Sequence, residues 1–361
     1  MVTMTATPPP IQPANQSLPP IPPPEWLETR PVLRACIAAR AALASLKMSA
    51  QLLPNQGMLF STLPVLEAQA SCALADIAAT PDNLFQNRHA GAKPDPVTKD
   101  VLRTHQALLA GYRSLARRPL RIRTAVTACS AVMGLYMGVR RDPDTVAGHT
   151  VYTPPEGEVV IRELLEGWER FLHEERELDP LIRLAAGHYQ FEAIHPFADG
   201  NGRTGRILNS LFLVQEELLP QPILCLSRYL LRRRDAYLNL QLEVTRSDGW
   251  EPWLLFMLEG VRETAQWTIG YIEQARTLSE LTDTYIRQQL PKIHSRELVE
   301  VLLCQPCCRI EHLIEAGVAR RQTASRYLKE LVEIGVLEER KVGRDKLFAN
   351  PQLLRLLVEA E

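Results

Sequence analysis

The stretch Ile194-His195-Pro196-Phe197-Ala198-Asp199-Gly200-Asn201-Gly202-Arg203-Thr204-Gly205-Arg206, running on into Ile207-Leu208-Asn209-Ser210-Leu211-Phe212-Leu213-Val214, decides how this chain is read. Gly200-Asn201-Gly202 is a turn rich in backbone amides and free of bulky side chains, and it opens directly onto a helix. Such a nest at a helix N-terminus favours anions, because unsatisfied N–H groups and the helix macrodipole act together. Arg203 and Arg206 stand three apart, on one helical face, where they can clamp a polyphosphate. Asp199 is a hard oxygen ligand suited to Mg2+ bridging phosphates. His195 precedes the nest; an unperturbed imidazole titrates at ~6.5, so at neutral pH it is largely a free base able to take a proton from a hydroxyl.

Each part has a bland reading of its own. Asp199 or Asn201 could cap a helix, a lone Gly-Asn-Gly is a turn, a His before Pro is a loop residue, and arginines at i, i+3 form a solvated face. Their coincidence within thirteen residues is what points to a nucleotide phosphate, a metal and a deprotonated nucleophile meeting in one place.

The rest of the composition is compatible with a folded enzyme. The chain has 361 residues, with 41 Lys and Arg against 42 Asp and Glu, so its net charge of −1 argues against a polyanion coat along its whole length. At 46% hydrophobic and 23% charged it is ordinarily globular. Seven thinly spread cysteines, an odd number, do not form a disulfide framework. No run approaches the roughly 20 apolar residues of a membrane helix, and the start lacks a secretory pattern. The expected location is the cytoplasm, without membrane contact.

Four segments follow from the pattern. Residues 1–25 crowd a third of the 27 prolines into an extended, disordered tail. Residues 26–95 carry helical periodicity over Pro31 to Met48 and Leu63 to Ala79, and the Gly/Pro-containing stretch Ala90 to Pro96 marks a boundary. Residues 96–272 are mostly amphipathic helix, interrupted by polar residues from Arg140 to Pro155. Residues 273–361 read as three short helices and a hairpin, the order of a winged helix-turn-helix.

The motif matches, without a gap, the His-Pro-Phe-x-x-Gly-Asn-Gly-Arg-x-x-Arg signature of the Fic family, enzymes that transfer AMP from ATP to protein hydroxyls. The resemblance extends to Leu226-Ser227-Arg228-Tyr229, Tyr237 and Gly249-Trp250-Glu251-Pro252-Trp253, and covers nearly the whole chain past Glu25. It implies a mainly α fold: a Fic-type helical core with a small β-hairpin flap, an N-terminal regulatory region and a C-terminal winged helix. His195 would be the general base and Asp199 the Mg2+ ligand. Gly200, Asn201 and Gly202 would bind phosphate oxygens, Arg203 and Arg206 would orient the β- and γ-phosphates, and Thr204 and Gly205 complete the phosphate-binding run. Gly202 stands where a kinase-like branch carries Lys, which favours AMP transfer. The segment Arg140 to Pro155 would be the flap that docks a protein target by strand pairing. The family often has two adjacent aromatics near adenine, where this chain has Tyr237-Leu238.

Many members with this domain order carry an inhibitory helix with the pattern Ser/Thr-x-x-x-Glu-Gly/Asn, whose Glu pairs with the second motif arginine. Here Ser71 aligns with its start and Ala75 with its glutamate, and the two share a helical face. A methyl group cannot pair with Arg206, so weakened autoinhibition is expected; Asp76 is too short and about 100° round the helix.

In the C-terminal module, Arg320, Arg321, Arg326 and Lys329 lie on or before the recognition helix and Arg340, Lys341, Arg344 and Lys346 on the wing, nearly balanced by acidic residues. That balance favours a protein-contact or homodimer role over DNA binding. Cys304, Cys307 and Cys308, near His294 and His312, are read as helix-packing cysteines rather than a zinc site. The expected activity is a protein adenylyltransferase using ATP and Mg2+ on Ser, Thr or Tyr hydroxyls, with self-modification. The runner-up is a DNA-binding transcription regulator whose Fic core only senses nucleotide, and a third reading changes the donor, for instance to UTP.

Overall fold

The computed structural model describes residues 18–19, 21, 27–53, 56–88, 92–141, 153–342 and 345–359. Most of the expected tail 1–25 and the centre of the expected flap (142–152) lie outside them, as do residues 343–344 of the expected wing.

Two N-terminal helices frame the core. In α1 (Arg30–Gln51), Thr29 caps the first turn by accepting from the Val32 amide, Pro31 fits where no amide partner is needed, and Val32, Cys36, Ala39, Leu43, Leu46 and Ala50 form a buried stripe. That stripe packs along α11 (Trp250–Gln289), a single helix of 40 residues. The expected division at 272/273 falls inside it. By contrast α2 (Gly57–Ala73) is apolar all round and buried on several sides, among α4 (Pro96–Leu115), α8 (Asn201–Gln215), α9 (Leu226–Arg232) and α12 (Arg296–Cys304). The short α3 (Pro81–Gln86) follows it.

The central region is built around a helical pair. Thirteen of the fifteen residues of α7 (Pro180–Ile194) are buried, between α6 (Glu158–Glu174), α8 and α11. Two indoles fix it: Trp168 and Trp253 donate to the carbonyls of Gly187 and Ala185, each at 2.9 Å. These bonds satisfy the polar edge of large buried rings that would otherwise carry an unpaired N–H. The connection from α7 to α8 is the motif itself. α4 and α5 (Ile122–Met133) pack on α8, and α10 (Arg234–Ser247) packs on α11 and reaches α7 through Tyr237 and His188.

The C-terminal region runs α12, β1 (Cys307–Cys308), α13 (Ile310–Glu315), α14 (Arg321–Glu333), β2 (Glu338–Val342), β3 (Asp345–Ala349) and α15 (Pro351–Glu359). The sheet order is β1-β3-β2, antiparallel throughout, with Cys308 opposite Phe348 and Lys341 opposite Lys346. The expected helices and hairpin are present; β1 and α15 were not foreseen. Cys307 and Cys308 pack as strand residues rather than helix residues, because their backbones complete the sheet edge. All seven cysteines are free, and no group of three metal-ligating side chains occurs among the described residues. No described helix is long and apolar enough to cross a membrane.

Candidate active site

His195 ends α7 in the left-handed conformation (φ 49°, ψ 59°), its amide donating to the Phe191 carbonyl at 3.1 Å. A non-glycine residue there costs about 1 kcal/mol, so neighbouring contacts must hold it. They come from Arg140, a residue the sequence gave no reason to single out. Its Nε donates to the His195 carbonyl at 2.7 Å, Nη2 to the Ile194 carbonyl at 3.4 Å and also to Pro155, and its amide to Pro196 at 2.9 Å. A buried guanidinium thus meets the carbonyl end of α7, where a positive charge is favoured, and ties both ends of the 140–155 segment to the His195 loop. His195 itself is half-buried.

Gly200 follows with φ 80°, and an added Cβ would meet Met133 Sδ at 3.1 Å and Cys129 Sγ at 3.3 Å. Position 200 therefore requires glycine for both its backbone and its space. Asn201 is buried and its amide closes a reciprocal pair with Phe197, accepting from the amide at 2.8 Å and donating to the carbonyl at 2.7 Å. Its side chain shapes the loop.

Asp199 is exposed, with one carboxylate oxygen accepting from the Gly200 amide and lying 3.6 Å from Arg203 Nη2. A hard, solvent-facing carboxylate beside an amide nest fits Mg2+, which typically takes one or two protein carboxylates and completes its shell with water and phosphate. Arg203 also approaches Met133 Sδ at 3.3 Å. Arg206 turns to a different neighbour: Nε donates to Ser71 Oγ and Nη2 to the Ser71 carbonyl, both at 2.8 Å. The two arginines share the start of α8 but are held by α5 and α2 respectively. Gly202 lies under Arg206, where an added Cβ would stand 3.0 Å from Nη1. Thr204 is buried, its amide making the first helical bond to Gly200 at 2.9 Å, and Gly205 admits the buried Glu192 carboxylate and the Phe191 ring.

Below Arg206 lies a polar layer. Glu67 accepts from the Ser227 amide at 3.0 Å and from its hydroxyl. Burial pushes the Glu67 and Glu192 carboxyls up to about 7, opposed in both cases by the nearby Arg206. His188 is pushed down to about 3 by burial and by Arg206, and so stays neutral. Tyr237 is expected at the base pocket, but the structure buries it, its hydroxyl 2.9 Å from His188 Nε2 and its ring against Trp253; Leu238 is 45% exposed.

The regulatory pair separates. Ser71 is buried on Arg206, whereas α2 stops at Ala73 and Ala75 sits exposed in the closing turn. The Ile77 amide bonds the Cys72 carbonyl and the Asp76 amide the Ala73 carbonyl, each at 3.0 Å, a Schellman closure. The shared helical face expected of Ser71 and Ala75 is lost to that closure. Asp76 takes the left-handed position at φ 60° and binds Arg234 with both carboxylate oxygens, at 2.8 and 3.1 Å, so it does not stand in for a glutamate on Arg206.

Residues 96–213 match the Fic/DOC family model, residues 33–113 its N-terminal model, and residues 278–353 the C-terminal domain of SoFic-like protein adenylyltransferases. The chain belongs to the Fic/DOC family. It is 27% identical over 167 residues to protein adenylyltransferase Fic of Drosophila willistoni, covering 45% of this chain and 31% of that one. It is 33% identical over 99 residues to a probable protein adenylyltransferase of Aquifex aeolicus, covering 27% and 30%. The matches therefore span about a third of the length of these relatives. The fold is shared with a Fic family protein from Desulfovibrio desulfuricans G20, with a TM-score of 0.57 at 18% identity over 90% of this chain and 98% of the other. A Fic domain-containing signaling protein from Bacteroides thetaiotaomicron covers 65% of this Fic chain, with a TM-score of 0.51 at 16% identity over 97% of its own length.

Proposed function

We propose that this Fic protein is a protein adenylyltransferase that moves AMP from ATP to a Ser, Thr or Tyr hydroxyl of a protein. The observation that carries the reading is the spacing of His195, fixed at the end of α7, from the amide nest that opens α8 with Arg203 and Arg206 on its first turns. The nest and the two arginines bind the triphosphate. His195 takes the hydroxyl proton as the oxygen bonds to the α-phosphorus and the bond to the β-phosphate oxygen breaks, releasing pyrophosphate. Asp199 would hold Mg2+, which would supply neutralising charge to the triphosphate. The protein's contribution is mainly positioning and fixed charge. Gly202 leaves room beside Arg206, since an added Cβ would stand 3.0 Å from Nη1, and a glycine rather than a lysine at this position supports AMP transfer over phosphate transfer.

Ala75 brings no carboxylate to Arg206, which supports weakened autoinhibition. The C-terminal module is read as a protein-contact surface. Several of its basic residues are already engaged: Arg321 with Glu311, Arg326 with Glu330, Arg340 with Asp82 and Glu338, and Lys346 with Glu339. That pairing weighs against the transcription-regulator reading, since phosphate contacts need free cations. The test is incubation with Mg2+ and ATP labelled at the α- or the γ-phosphate. Label entering protein from α alone is expected. Label from γ would make the enzyme a kinase, and label from neither, even with cell extract as target, would count against transfer.

A further inference from the structure

A groove of about 510 Å³ lies between α4 and α5, on a face the chemistry above does not use. Its walls are small: Ala107, Ala110 and Gly111 from α4, and Thr127, Ala128 and Ala131 from α5. These positions recur at three and four residues along each helix, so the trough runs parallel to both axes. Arginines stand at one end. Arg118, Arg121 and Arg123 line the groove and Arg117 adjoins them on the α4–α5 turn; all four are exposed. Arg121 reaches Glu169 at 3.5 Å, while Arg117, Arg118 and Arg123 form no ion pair among the described residues. In a chain of net charge −1, this is a local concentration of unanswered positive charge, unlike the paired cations of the C-terminal module.

We propose that this groove docks an acidic, amphipathic helical segment of the protein substrate, its aliphatic face in the trough and its carboxylates on the arginines. Small-residue walls let a third helix approach closely, and the unpaired arginines supply the complementary charge. No aromatic side chain lines the groove, so it lacks the stacking platform that a single-stranded nucleic acid would use. The position suits delivery to the active site. At its other end α5 meets the motif, with Cys129 Sγ 3.3 Å from the Asp199 carbonyl and Met133 against Arg203. A 12-residue helix is about 18 Å long, so a docked segment lies a short span of chain from His195. The proposal rests on the reading of this protein as an enzyme acting on proteins.

The test is fluorescence anisotropy of the full chain, without ATP, using a fluorescein-labelled helical peptide made only of Glu, Leu and Ala. The comparison probes are the same peptide with Gln for every Glu, and a labelled oligothymidine. Arg117→Glu/Arg118→Glu/Arg123→Glu is expected to weaken peptide binding about tenfold or more, and the Gln peptide to bind the wild type as weakly. Ala110→Trp, which fills the trough, should weaken it while leaving the arginines in place. No binding by the wild type, equal binding by the charge-reversed protein, or tighter binding of oligothymidine would overturn the proposal. The peptide has no side-chain hydroxyl and the readout no nucleotide, so this result and that of the labelled-ATP experiment stand or fall separately.

Discussion

Arg206 is held by Ser71 through two hydrogen bonds of 2.8 Å, one to the side-chain hydroxyl and one to the main-chain carbonyl, across 135 residues of sequence. The end of α2 therefore sets the position of the arginine expected to orient the γ-phosphate. Ser71→Ala removes one acceptor and keeps the other. The expected outcome is a stability loss of about 1 kcal/mol in denaturant unfolding and a severalfold rise in KM for ATP. An unchanged KM would separate Arg206 from nucleotide binding.

Ala75→Glu places a carboxylate in the turn that closes α2. If weakened autoinhibition is right, initial rates of AMP incorporation should fall about tenfold or more, by pairing of the new carboxylate with Arg206. Adding Arg206→Ala would not restore activity, because the same arginine serves the phosphates. A rate equal to wild type would refute weakened autoinhibition through position 75.

Arg140→Lys keeps a charge but cannot reach the Ile194, His195 and Pro155 carbonyls together. The expected loss is about 2 kcal/mol of stability, since buried acceptors are left unpaired. A drop in kcat of about tenfold with KM for ATP nearly unchanged is the signature of a misplaced base. A wild-type kcat in Arg140→Lys would refute that role.

Glu192→Gln tests the layer beneath Arg206. Burial pushes Glu67 and Glu192 up to about 7 from 4.5, so between those values the folded chain keeps protons that the unfolded chain has released. Their contribution to stability is therefore fully present below 4.5 and is lost as pH rises through 7. His188, pushed down to about 3, acts oppositely, with stability falling as pH drops below 6.5. Comparing variant with wild type isolates the carboxyl: Glu192→Gln should raise Tm at pH 8 by on the order of 2 °C and lose that advantage by pH 5. A constant difference across pH would show that Glu192 does not titrate in this range.

The motif was legible because its chemistry is local: the amide nest, the arginines and the base lie within thirteen residues, and the structure assembles them from one helix end and the next helix start. The helices with clear apolar spacing were legible for the same reason, down to α14 and the β2–β3 hairpin. The unbroken length of α11 was not, because the expected division at 272/273 cut across it, while its packing along α1 carries the helix through. Arg140 was invisible because it acts on backbone carbonyls 54 and 55 residues away. Glu67 and Ser227, 160 apart, show nothing in sequence of the bond they form. The depth of Tyr237 was not legible, because its hydroxyl finds a partner in His188, and that satisfied polar edge lets the whole ring enter the core. The role given to Ala75 assumed that the helix continued; a left-handed Asp76 ends it first.

The most direct test of the central claim compares wild type and His195→Ala in two assays on the same preparations: ATP binding in the presence of Mg2+, and incorporation of α-labelled AMP into protein. Loss of the base should leave the affinity for ATP within about twofold while incorporation falls by about 10²-fold or more. Incorporation at the wild-type rate in His195→Ala would contradict the account, because a hydroxyl would then be attacking phosphorus without the group placed to take its proton.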